Sequence, residues 1–398
     1  MHNNGSSADV RICLIGPGWR FTSGISYYTC RLAGAAAESH DIGVILLRQL
    51  LPRFLYPGKQ RVGQRRARAT YPPGVPVFDG IDWWWGLSVL RAMSFLRTYR
   101  ANVLVLQWWS ATTLHTYLLL AVLARQLGAR VVIEIHEFQD PGEARFRLAR
   151  RYAGWGLSAL LRLCHGCVVH SKADWRSLEE KHLPANLHIT VAAHGPYDQF
   201  RTGRAVGEEP DAAAVAAVRQ APRPSVANLL FFGLIRPYKG LTDLLAVFNS
   251  LSDEEASGLW LTVVGETWDG FFEPARLIET SPHRDRITFV NEYVHDEVVA
   301  AAFGHADVVV LPYHRSSSSG TLHVAMSWGL PVVITTVGGL PEAASGYGGA
   351  IFTPPGDPVM LKDAIKRAAQ MRGQRFADPR NWGETVGAIL SAAGQGGR

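Results

Sequence analysis

Short, uninterrupted runs of apolar residues recur along this chain and alternate with longer stretches that have helical patterns. The runs are 10–15, 42–47, 103–106, 131–135, 167–169 and 189–192 in the first half, and 229–232, 261–264, 287–290, 308–311 and 331–334 in the second. Continuous apolar runs are typical of strands buried on both faces. Such strands alternating with helices predict βαβ units, parallel sheets and an α/β fold.

Residues 201–225 are rich in Gly, Ala, Pro and charge and separate the two sets of runs, which indicates a domain boundary. We predict two Rossmann-like domains, 1–205 and 206–378, whose parallel sheets face a central cleft. Residues 379–398 are expected to form a helix that packs back on the N-terminal domain. Ligands of open parallel sheets bind at the carboxyl ends of the strands, so chemistry is expected just after each run.

Two helical patterns can be specified further. After the run 229–232, one helical face should pack on a sheet, with Gly240 and Thr242 at its start, where caps belong; its members are Leu241, Leu244, Leu245, Phe248 and Leu251. The apolar stretch 112–127 carries His115 and Arg125 and falls short of the ~18 residues of a membrane span. It predicts a buried or amphipathic helix.

Composition indicates a folded protein of a reducing compartment. With 398 residues, of which 47% are hydrophobic and 19% charged, the chain suits about two domains and is too apolar for disorder. Four cysteines are too few for a disulfide scaffold. Residues 1–10 lack the apolar stretch of a signal peptide. We therefore expect a cytoplasmic protein.

Charge is distributed unevenly between the two halves. Residues 1–200 hold 23 Lys and Arg against 13 Asp and Glu, a net +10, whereas the remainder holds 17 against 21, a net −4. A basic first half suggests an anionic partner or a membrane surface. An arginine-rich composition in an ordinary soluble protein explains the same numbers equally well.

The segment Phe231–Gly240 follows a predicted buried strand and opens a helix. A glycine turn at such a junction directs backbone N–H groups and the helix N-terminus toward an anion. Arg236 can grip a phosphate with two hydrogen bonds, and Lys239 can neutralise its charge. The alternative is a solvated loop with two surface cations.

The pattern Gly233-x-x-Arg236-Pro237-x-Lys239-Gly240 resembles the donor-diphosphate loop of the family-4 glycosyltransferases, which have the GT-B fold. Further matches follow in the order of that family. Val263–Glu266, which includes Gly265 and Glu266, resembles the turn beside the nucleoside, and 289–294, which includes Tyr293, resembles with Asp296-Glu297 the segment along the base. Residues 306–312 resemble the strand before the sugar loop, and 329–333 and Gly338-Gly339-Leu340-Pro341-Glu342 resemble the segments after it. Residues 349–357 resemble the closing turn.

The first half resembles the family more loosely. Residues 16–26 resemble its glycine-containing first loop, which would bring Gly24 near the donor phosphates, and His136 follows a strand as in the family's His-containing loop. Val169-His170-Ser171 and His194-Gly195 resemble later landmarks. The resemblance is specific over 228–358 and weak over 37–130.

One departure concerns the sugar loop. Many family members carry two glutamates eight residues apart, and Ser316 and Val324 stand at the matching positions here. The loop 316–321 instead presents Ser318, Ser319, Gly320 and Thr321 before a helix expected over 323–328. Hydroxyl and N–H groups at a helix N-terminus can hold a phosphate or sugar hydroxyls.

The resemblance implies a hexosyltransferase-like enzyme that moves a sugar from a nucleotide-sugar donor to an acceptor hydroxyl with retention. Arg236, Lys239 and backbone N–H groups near Gly24 and Gly320 would hold the diphosphate, with no metal or other cofactor. The sugar would contact His136, the serine loop and Gly338-Gly339. The acceptor is a lipid-linked or cell-surface glycan precursor, or alternatively a small molecule; no nucleic-acid partner is expected. A non-catalytic donor-binding module and a sugar-nucleotide epimerase stay as alternatives.

Several other patterns point less clearly to chemistry. Gly16-Pro17-Gly18 opens like a dinucleotide fingerprint, but Phe21 stands at its third glycine position. Zinc is one interpretation of Cys164-His165-Gly166-Cys167 with His170; core packing is favoured because no second cysteine pair exists.

Aromatic and basic residues of the first half suggest a surface contact. Trp108-Trp109 are expected in the core. The three residues Trp83–Trp85 cannot all face inward, so at least one is available to an acceptor or to lipid. With the cations Arg61, Arg65, Arg66 and Arg68, they suggest peripheral contact with an anionic membrane at its inner face.

Overall fold

The computed structural model describes residues 10–18, 24–49, 70–137, 147–180, 184, 187–202, 212–220, 225–268, 270–316 and 319–395. The chain divides into two compact units. One comprises Met1–Gly195 with Arg380–Arg398, and the other comprises Pro196–Pro379. Each unit contains one parallel sheet with helices between its strands, which confirms the prediction of two Rossmann-like halves.

The first unit has a seven-stranded sheet in the order β3-β2-β1-β4-β5-β6-β7, and every neighbouring pair is parallel. Its strands are β1 (Arg11–Pro17), β2 (Asp41–Gln49), β3 (Val77–Asp82), β4 (Val103–Trp108), β5 (Arg130–Ile135), β6 (Gly166–Val169) and β7 (His188–Val191). The strand order reverses between β1 and β4. This is the point at which α/β sheets form ligand crevices.

The second unit has a six-stranded parallel sheet in the order β10-β9-β8-β11-β12-β13. Its strands are β8 (Ala227–Phe232), β9 (Leu259–Val264), β10 (Ile287–Val290), β11 (Val308–Leu311), β12 (Val332–Thr335) and β13 (Ala350–Thr353). Here the order reverses between β8 and β11, so both units share one topological principle.

Helices connect the strands and cover the sheets. Those described are α1 (Gly24–Ala36), α2 (Gly86–Tyr99), α3 (Leu114–Gln126), α4 (Arg147–Leu163), α5 (Lys172–Glu179), α6 (Gln199–Thr202), α7 (Ala212–Val218), α8 (Leu241–Asn249), α9 (Asp253–Ser257), α10 (Glu273–Glu279), α11 (Asp296–His305), α12 (Gly320–Ser327), α13 (Leu340–Ala343), α14 (Pro358–Gln370) and α15 (Trp382–Ala392). Short 3-10 turns occur at Ala111–Thr113, Pro237–Lys239 and Arg284–Arg286.

The central strands are buried along their whole length, as their continuous apolar runs predict. Every residue of β4 and of β11 is buried. The apolar stretch 112–127 largely forms α3, whose inner face packs in the core of the first unit together with β4. The predicted face of α8 is also buried, although the helix ends at Asn249 and Leu251 follows it. Burial on two faces therefore explains why alternation is absent from these strands.

Two strands were absent from the sequence prediction, and both lie at sheet edges. β3 contains Asp79, Gly80 and Asp82, and β13 leaves Phe352 partly exposed. An edge strand is covered less completely and so tolerates polar residues that hide its pattern. The apolar-run criterion therefore finds the centre of a parallel sheet more readily than its margin.

The last helix, α15, belongs to the first unit and packs on α1, β6 and β7. A Cβ built on Gly166 would overlap the carbonyl group of Ala392, and one built on Gly195 would overlap the indole of Trp382. The Thr385 hydroxyl donates to the Ala193 carbonyl oxygen at 3.3 Å. Glycines on the sheet therefore allow the close approach of this helix.

We predict that Gly166→Ala lowers the free energy of unfolding by about 1–3 kcal/mol, because the added methyl group must displace the α15 backbone. The matched control is Gly387→Ala, which lies on the exposed side of α15 with no atom within 4 Å of its new Cβ. Urea unfolding of both variants checks the prediction. Equal stability of the two variants would contradict it.

Candidate active site

The predicted donor-binding residues of the second unit gather at the carboxyl ends of its central strands, beside the reversal between β8 and β11. The loops that follow these two strands contact each other. A Cβ on Gly240, whose φ is 65°, would overlap the carbonyl oxygen of Pro312. The His314 N–H donates to the Tyr238 carbonyl oxygen at 2.8 Å. The two loops therefore form one continuous surface.

Gly233 and Gly265 bring two loop backbones into direct contact. Their φ angles are 109° and 156°, and a Cβ on Gly265 would overlap the Gly233 carbonyl oxygen. Their N–H groups donate to Val264 and Val290 respectively, which continues the hydrogen bonding of the strands. Only glycine fits this arrangement, because L side chains rarely adopt such angles and have no space here.

Lys239 and Thr321 meet over Gly233. A Cβ on Gly233 would lie 3.0 Å from the Lys239 Nζ and 3.5 Å from the Thr321 Oγ1. The Thr321 hydroxyl donates to the Phe232 carbonyl oxygen at 3.3 Å, which fixes it at the end of β8. Lys239, Thr321 and Gly233 thus form one small cradle. The Lys239 ammonium is its charged donor, because the Gly233 N–H and the Thr321 hydroxyl already donate to backbone carbonyl oxygens.

The cradle includes the beginning of α12. The Ser319 hydroxyl accepts a hydrogen bond from the Leu322 N–H at 3.3 Å and caps the helix, which begins at Gly320. The expectation of a helix starting at 323 was therefore wrong by one turn, because Ser319 is its cap. Gly320 is exposed, and nothing within 4 Å would meet a side chain there. Ser318 lies outside the described residues.

Arg236 packs on an aromatic ring that the sequence prediction did not include. Its Cζ atom lies 4.8 Å from the centre of the Trp268 ring, within cation–π range. The Trp268 indole N–H donates to the Glu266 carboxylate, and the Trp268 backbone N–H donates to the Ile235 carbonyl oxygen. Glu266 therefore orients the tryptophan that supports Arg236.

Gly338 and Gly339 contact the serine loop. A Cβ on Gly338, whose φ is 52°, would overlap the Ser316 carbonyl oxygen, and the Gly339 N–H donates to the same oxygen at 3.2 Å. Glu342 follows on α13 and is half-buried. Tyr293, which follows β10, is also half-buried. Gly338 and Gly339 therefore border the loop after β11.

The predicted residues of the first unit are Gly24 and His136. Gly24 is the first residue of α1, and the loop residues 19–23 before it lie outside the described residues. His136 follows β5 and is buried. Its backbone N–H donates a hydrogen bond to the Trp108 carbonyl oxygen at 2.8 Å.

His136 belongs to a group of three buried histidines at the ends of neighbouring strands. His136, His170 and His194 follow β5, β6 and β7, and we call them the histidine cluster. One ring nitrogen from each lies within 4.8 Å of those of the others. The rings of His170 and His194 stack at 3.7 Å, and the edge of Tyr28 packs against all three rings. The sequence motifs located the loops that carry these histidines, but they did not show that the three side chains meet.

Glu134 lies beneath the histidine cluster with both carboxylate oxygens engaged. One accepts a hydrogen bond from the Tyr28 hydroxyl, and the other accepts one from the Gln107 amide at 3.3 Å. The Nε2 atoms of His136 and His170 each lie 3.6 Å from one of these oxygens. The side chain is fully buried.

The charges of this group depend on one another. Burial would raise the pKa of Glu134, but the nearby His136 and His170 imidazoles and the Tyr28 hydroxyl outweigh it and hold that pKa below its ordinary value. Burial, together with the charge of His136, lowers the pKa of His170 to about 4. His170 is therefore neutral near pH 7.

The cysteine-containing pattern has a structural role, as expected. Cys164 and Cys167 are buried and free, and burial raises the pKa of both thiols well above the ordinary range. His165 accepts a hydrogen bond at Nδ1 from the Val131 N–H at 2.9 Å. Trp108 and Trp109 are buried as predicted, whereas Trp84 is 58% exposed.

Comparison with known proteins finds a family match within the second unit. Residues 227–371, which include the cradle and the two glycine contacts, match the family described as glycosyl transferases group 1. The whole chain superimposes on sucrose-phosphate synthase from Thermosynechococcus elongatus with a TM-score of 0.62 and 18% identity, covering 97% of each chain. The matched segment is therefore similar to the group 1 glycosyltransferases. The chain has the GT-B fold.

Two further similarities concern one relative and one solved structure. A GDP-mannose:glycolipid 4-beta-D-mannosyltransferase of Xanthomonas campestris pv. campestris is 40% identical over 107 residues. That match spans 27% of this chain and only 29% of the relative. HepE of Anabaena, solved in complex with UDP, superimposes with a TM-score of 0.58 at 15% identity, covering 97% of this chain and 98% of that one.

We predict that Gly338→Ala lowers the free energy of unfolding more than the same substitution does at another glycine of similar φ. Gly338→Ala combines left-handed backbone strain with a clash against Ser316 and should cost about 2–5 kcal/mol. Gly356→Ala, with φ 70° and no atom within 4 Å, carries the strain alone and should cost about 1–2 kcal/mol. Denaturant unfolding compares them, and a cost for Gly338→Ala no larger than the control's would refute the steric part.

Proposed function

We propose that this protein transfers a sugar from a nucleotide-sugar donor to an acceptor hydroxyl. The observation that carries the proposal is the cradle of Lys239, Gly233 and Thr321 beside the β8/β11 reversal. The UDP in the HepE structure and the GDP-mannose in the name of the Xanthomonas relative support a nucleotide-sugar donor. A non-catalytic binding module is the alternative, and turnover with a nucleotide sugar distinguishes the two.

The diphosphate of the donor is assigned to Arg236, Lys239 and the first-turn N–H groups of α12. These groups stabilise the negative charge that develops on the leaving phosphate as the glycosidic bond breaks. Glu266 and Trp268 support this step indirectly, because they fix the side on which the Arg236 guanidinium lies. Two cations supply the charge in this proposal, so it requires no metal at the diphosphate.

The donor sugar is assigned to His136, the serine loop and the Gly338-Gly339 pair. We propose retention of configuration through an oxocarbenium-like transition state, in line with the family resemblance. Ser316 and Val324 replace the paired glutamates, so hydroxyl and N–H groups take over the contacts to the sugar. Gly24 is assigned to the donor phosphates.

The acceptor is proposed to be a lipid-linked glycan precursor at the inner face of a membrane, reached by peripheral docking of a cytoplasmic enzyme. Large apolar side chains are exposed on two helices that both pack against α3: Leu87 and Leu90 of α2, preceded by Trp84, and Trp155 of α4. Arg151 and Arg162 of α4 are exposed as well. Exposed tryptophans beside arginines suit an anionic lipid surface. A small-molecule acceptor is the alternative.

Three further observations bear on membrane contact. None of the helices among the described residues combines the length and apolar content needed to cross a bilayer. The name of the Xanthomonas relative includes a glycolipid, which supports the choice of acceptor. Arg61, Arg65, Arg66 and Arg68 lie outside the described residues.

We predict that Lys239→Ala lowers kcat/KM by on the order of 2–4 kcal/mol of transition-state stabilisation, because it removes a charge from the diphosphate cradle. Ligand-stabilised melting against a panel of nucleoside diphosphates first selects the donor base. Steady-state kinetics with that donor then compares Lys239→Ala with Lys366→Ala, which removes an exposed ion pair with Glu255. A Lys239→Ala enzyme within threefold of the wild type would exclude this role.

We predict that Trp155→Ser weakens binding to anionic vesicles at low salt, because this exposed indole is expected to insert at the interface. Phe272→Ser is the matched control, since that ring is 67% exposed in the second unit. Co-sedimentation with anionic and neutral vesicles measures the effect. Negligible binding of the wild type to both kinds of vesicle would defeat the membrane proposal, because electrostatic attraction is strongest at low salt.

A further inference from the structure

The histidine cluster contains buried nitrogen atoms for which the described part of the chain supplies no hydrogen-bond partner. These atoms are both ring nitrogens of His136 and the Nε2 of His170. Buried polar groups are nearly always satisfied, and exceptions point to a bound water, ion or ligand. His136 and His170 are each only 7% exposed, so bulk solvent does not fully supply the partners.

The tautomer of His170 shows why its Nε2 needs a partner. Its Nδ1 lies 2.9 Å from the Ala192 carbonyl oxygen, and because a carbonyl only accepts, Nδ1 carries the hydrogen. In the neutral ring, Nε2 then presents a lone pair toward the Glu134 carboxylate at 3.6 Å. Two electron-rich groups face each other in a buried place, which is costly unless a cation lies beside them.

We propose that His136, His170 and His194 bind a divalent transition-metal ion of the zinc type. Three neutral imidazoles are a common ligand set for zinc, and they leave a fourth coordination position open. The ligands come from the ends of three adjacent parallel strands, so a rigid sheet positions them together. Of the residues that suggested zinc in the sequence, His170 is one of these ligands, whereas Cys164 and Cys167 are not.

The distances require only side-chain adjustment. In a tetrahedral site with metal–nitrogen bonds of about 2.0–2.1 Å, ligand nitrogens lie about 3.4 Å apart. The most distant pair here is within 4.8 Å, so a closure of about 1.4 Å, shared by two rings, brings the set together. Binding would also separate the stacked rings of His170 and His194 so that both can point at one ion.

The surroundings match those of metal-binding histidines. Such residues commonly donate their second ring N–H to a backbone carbonyl, as His170 does to Ala192, and a nearby carboxylate tunes the site. Glu134 offers that carboxylate, and the Tyr28 hydroxyl and the Gln107 amide hold it in place. Its negative charge offsets part of the charge of the ion.

Coordination has a consequence for the His136 ring. Its Nε2 faces Glu134 and would bind the ion, which leaves Nδ1 as an N–H donor. Coordination would therefore fix one tautomer of His136.

The test measures metal binding directly, without donor or acceptor. The full-length protein is treated with a chelator, incubated with Zn²⁺ or Co²⁺, desalted and analysed for bound metal and thermal stability. We expect about one ion per chain, a higher Tm for the loaded protein, and the visible absorption of a tetrahedral Co²⁺ site. His194→Ala should abolish binding, and Glu134→Gln, which preserves shape, should weaken it roughly 10–100-fold.

The matched control is His188→Gln, which alters an exposed histidine on the strand that leads to His194. It should keep the metal content and the Tm shift of the wild type. Less than one tenth of an ion per chain in the wild type, with no metal-dependent Tm shift, would overturn the proposal. Equal loss of metal in His188→Gln would also overturn it. A metal-loaded protein without transferase activity would sink the proposed function and leave the metal site intact.

Discussion

The donor-side loops depend on how closely two backbones approach at Gly233 and Gly265. The Gly265 Cα lies against the Gly233 carbonyl oxygen, at backbone angles that disfavour any residue with a side chain. This contact sets the positions of both loops relative to the strand ends. Lys239, which adjoins Gly233, and the Glu266–Trp268 pair, which follows Gly265, are placed by it in turn. Moving one loop would separate the cation from the hydroxyl of Thr321.

In the first unit, hydrogen bonds between buried polar side chains fix the carboxyl ends of the central strands. Its core carries buried polar groups, with Thr29 hydrogen bonded to Gln107 and Gln107 bonded to Glu134. Each partner is necessary, because a buried group left alone costs more than the bond itself contributes. The network thereby links α1, β4 and β5 and holds the carboxylate beneath the histidines. This part of the first unit is held by hydrogen bonds between buried side chains, whereas the cradle is held by close backbone contacts at glycines.

The sequence predicted those features that depend on local pattern. Buried central strands have apolar runs, and the turn at Gly233 has a recognisable spacing, so both could be found without the structure. The edge strands β3 and β13 were not found, because Asp79, Gly80 and Asp82 interrupt the apolar run of β3, and β13 lies within the segment 349–357 that was interpreted as a closing turn. The histidine cluster was equally hidden: His136, His170 and His194 are far apart in sequence, and only the strand order β5-β6-β7 brings them together. Trp268 could have been noticed from its position just after the Gly265-Glu266 turn, but its contact with Arg236 needs three-dimensional information.

The return of α15 to the first unit has a consequence for biosynthesis. Trp382 packs on Gly195 and near Tyr28, so the sheet that is translated first lacks part of its cover until the last helix is made. The second unit, 196–379, is contiguous and can fold on the ribosome before that moment. The first unit therefore completes its folding only after the second unit has been made. During that interval the flank of β6 and β7 that α15 covers stays open to solvent.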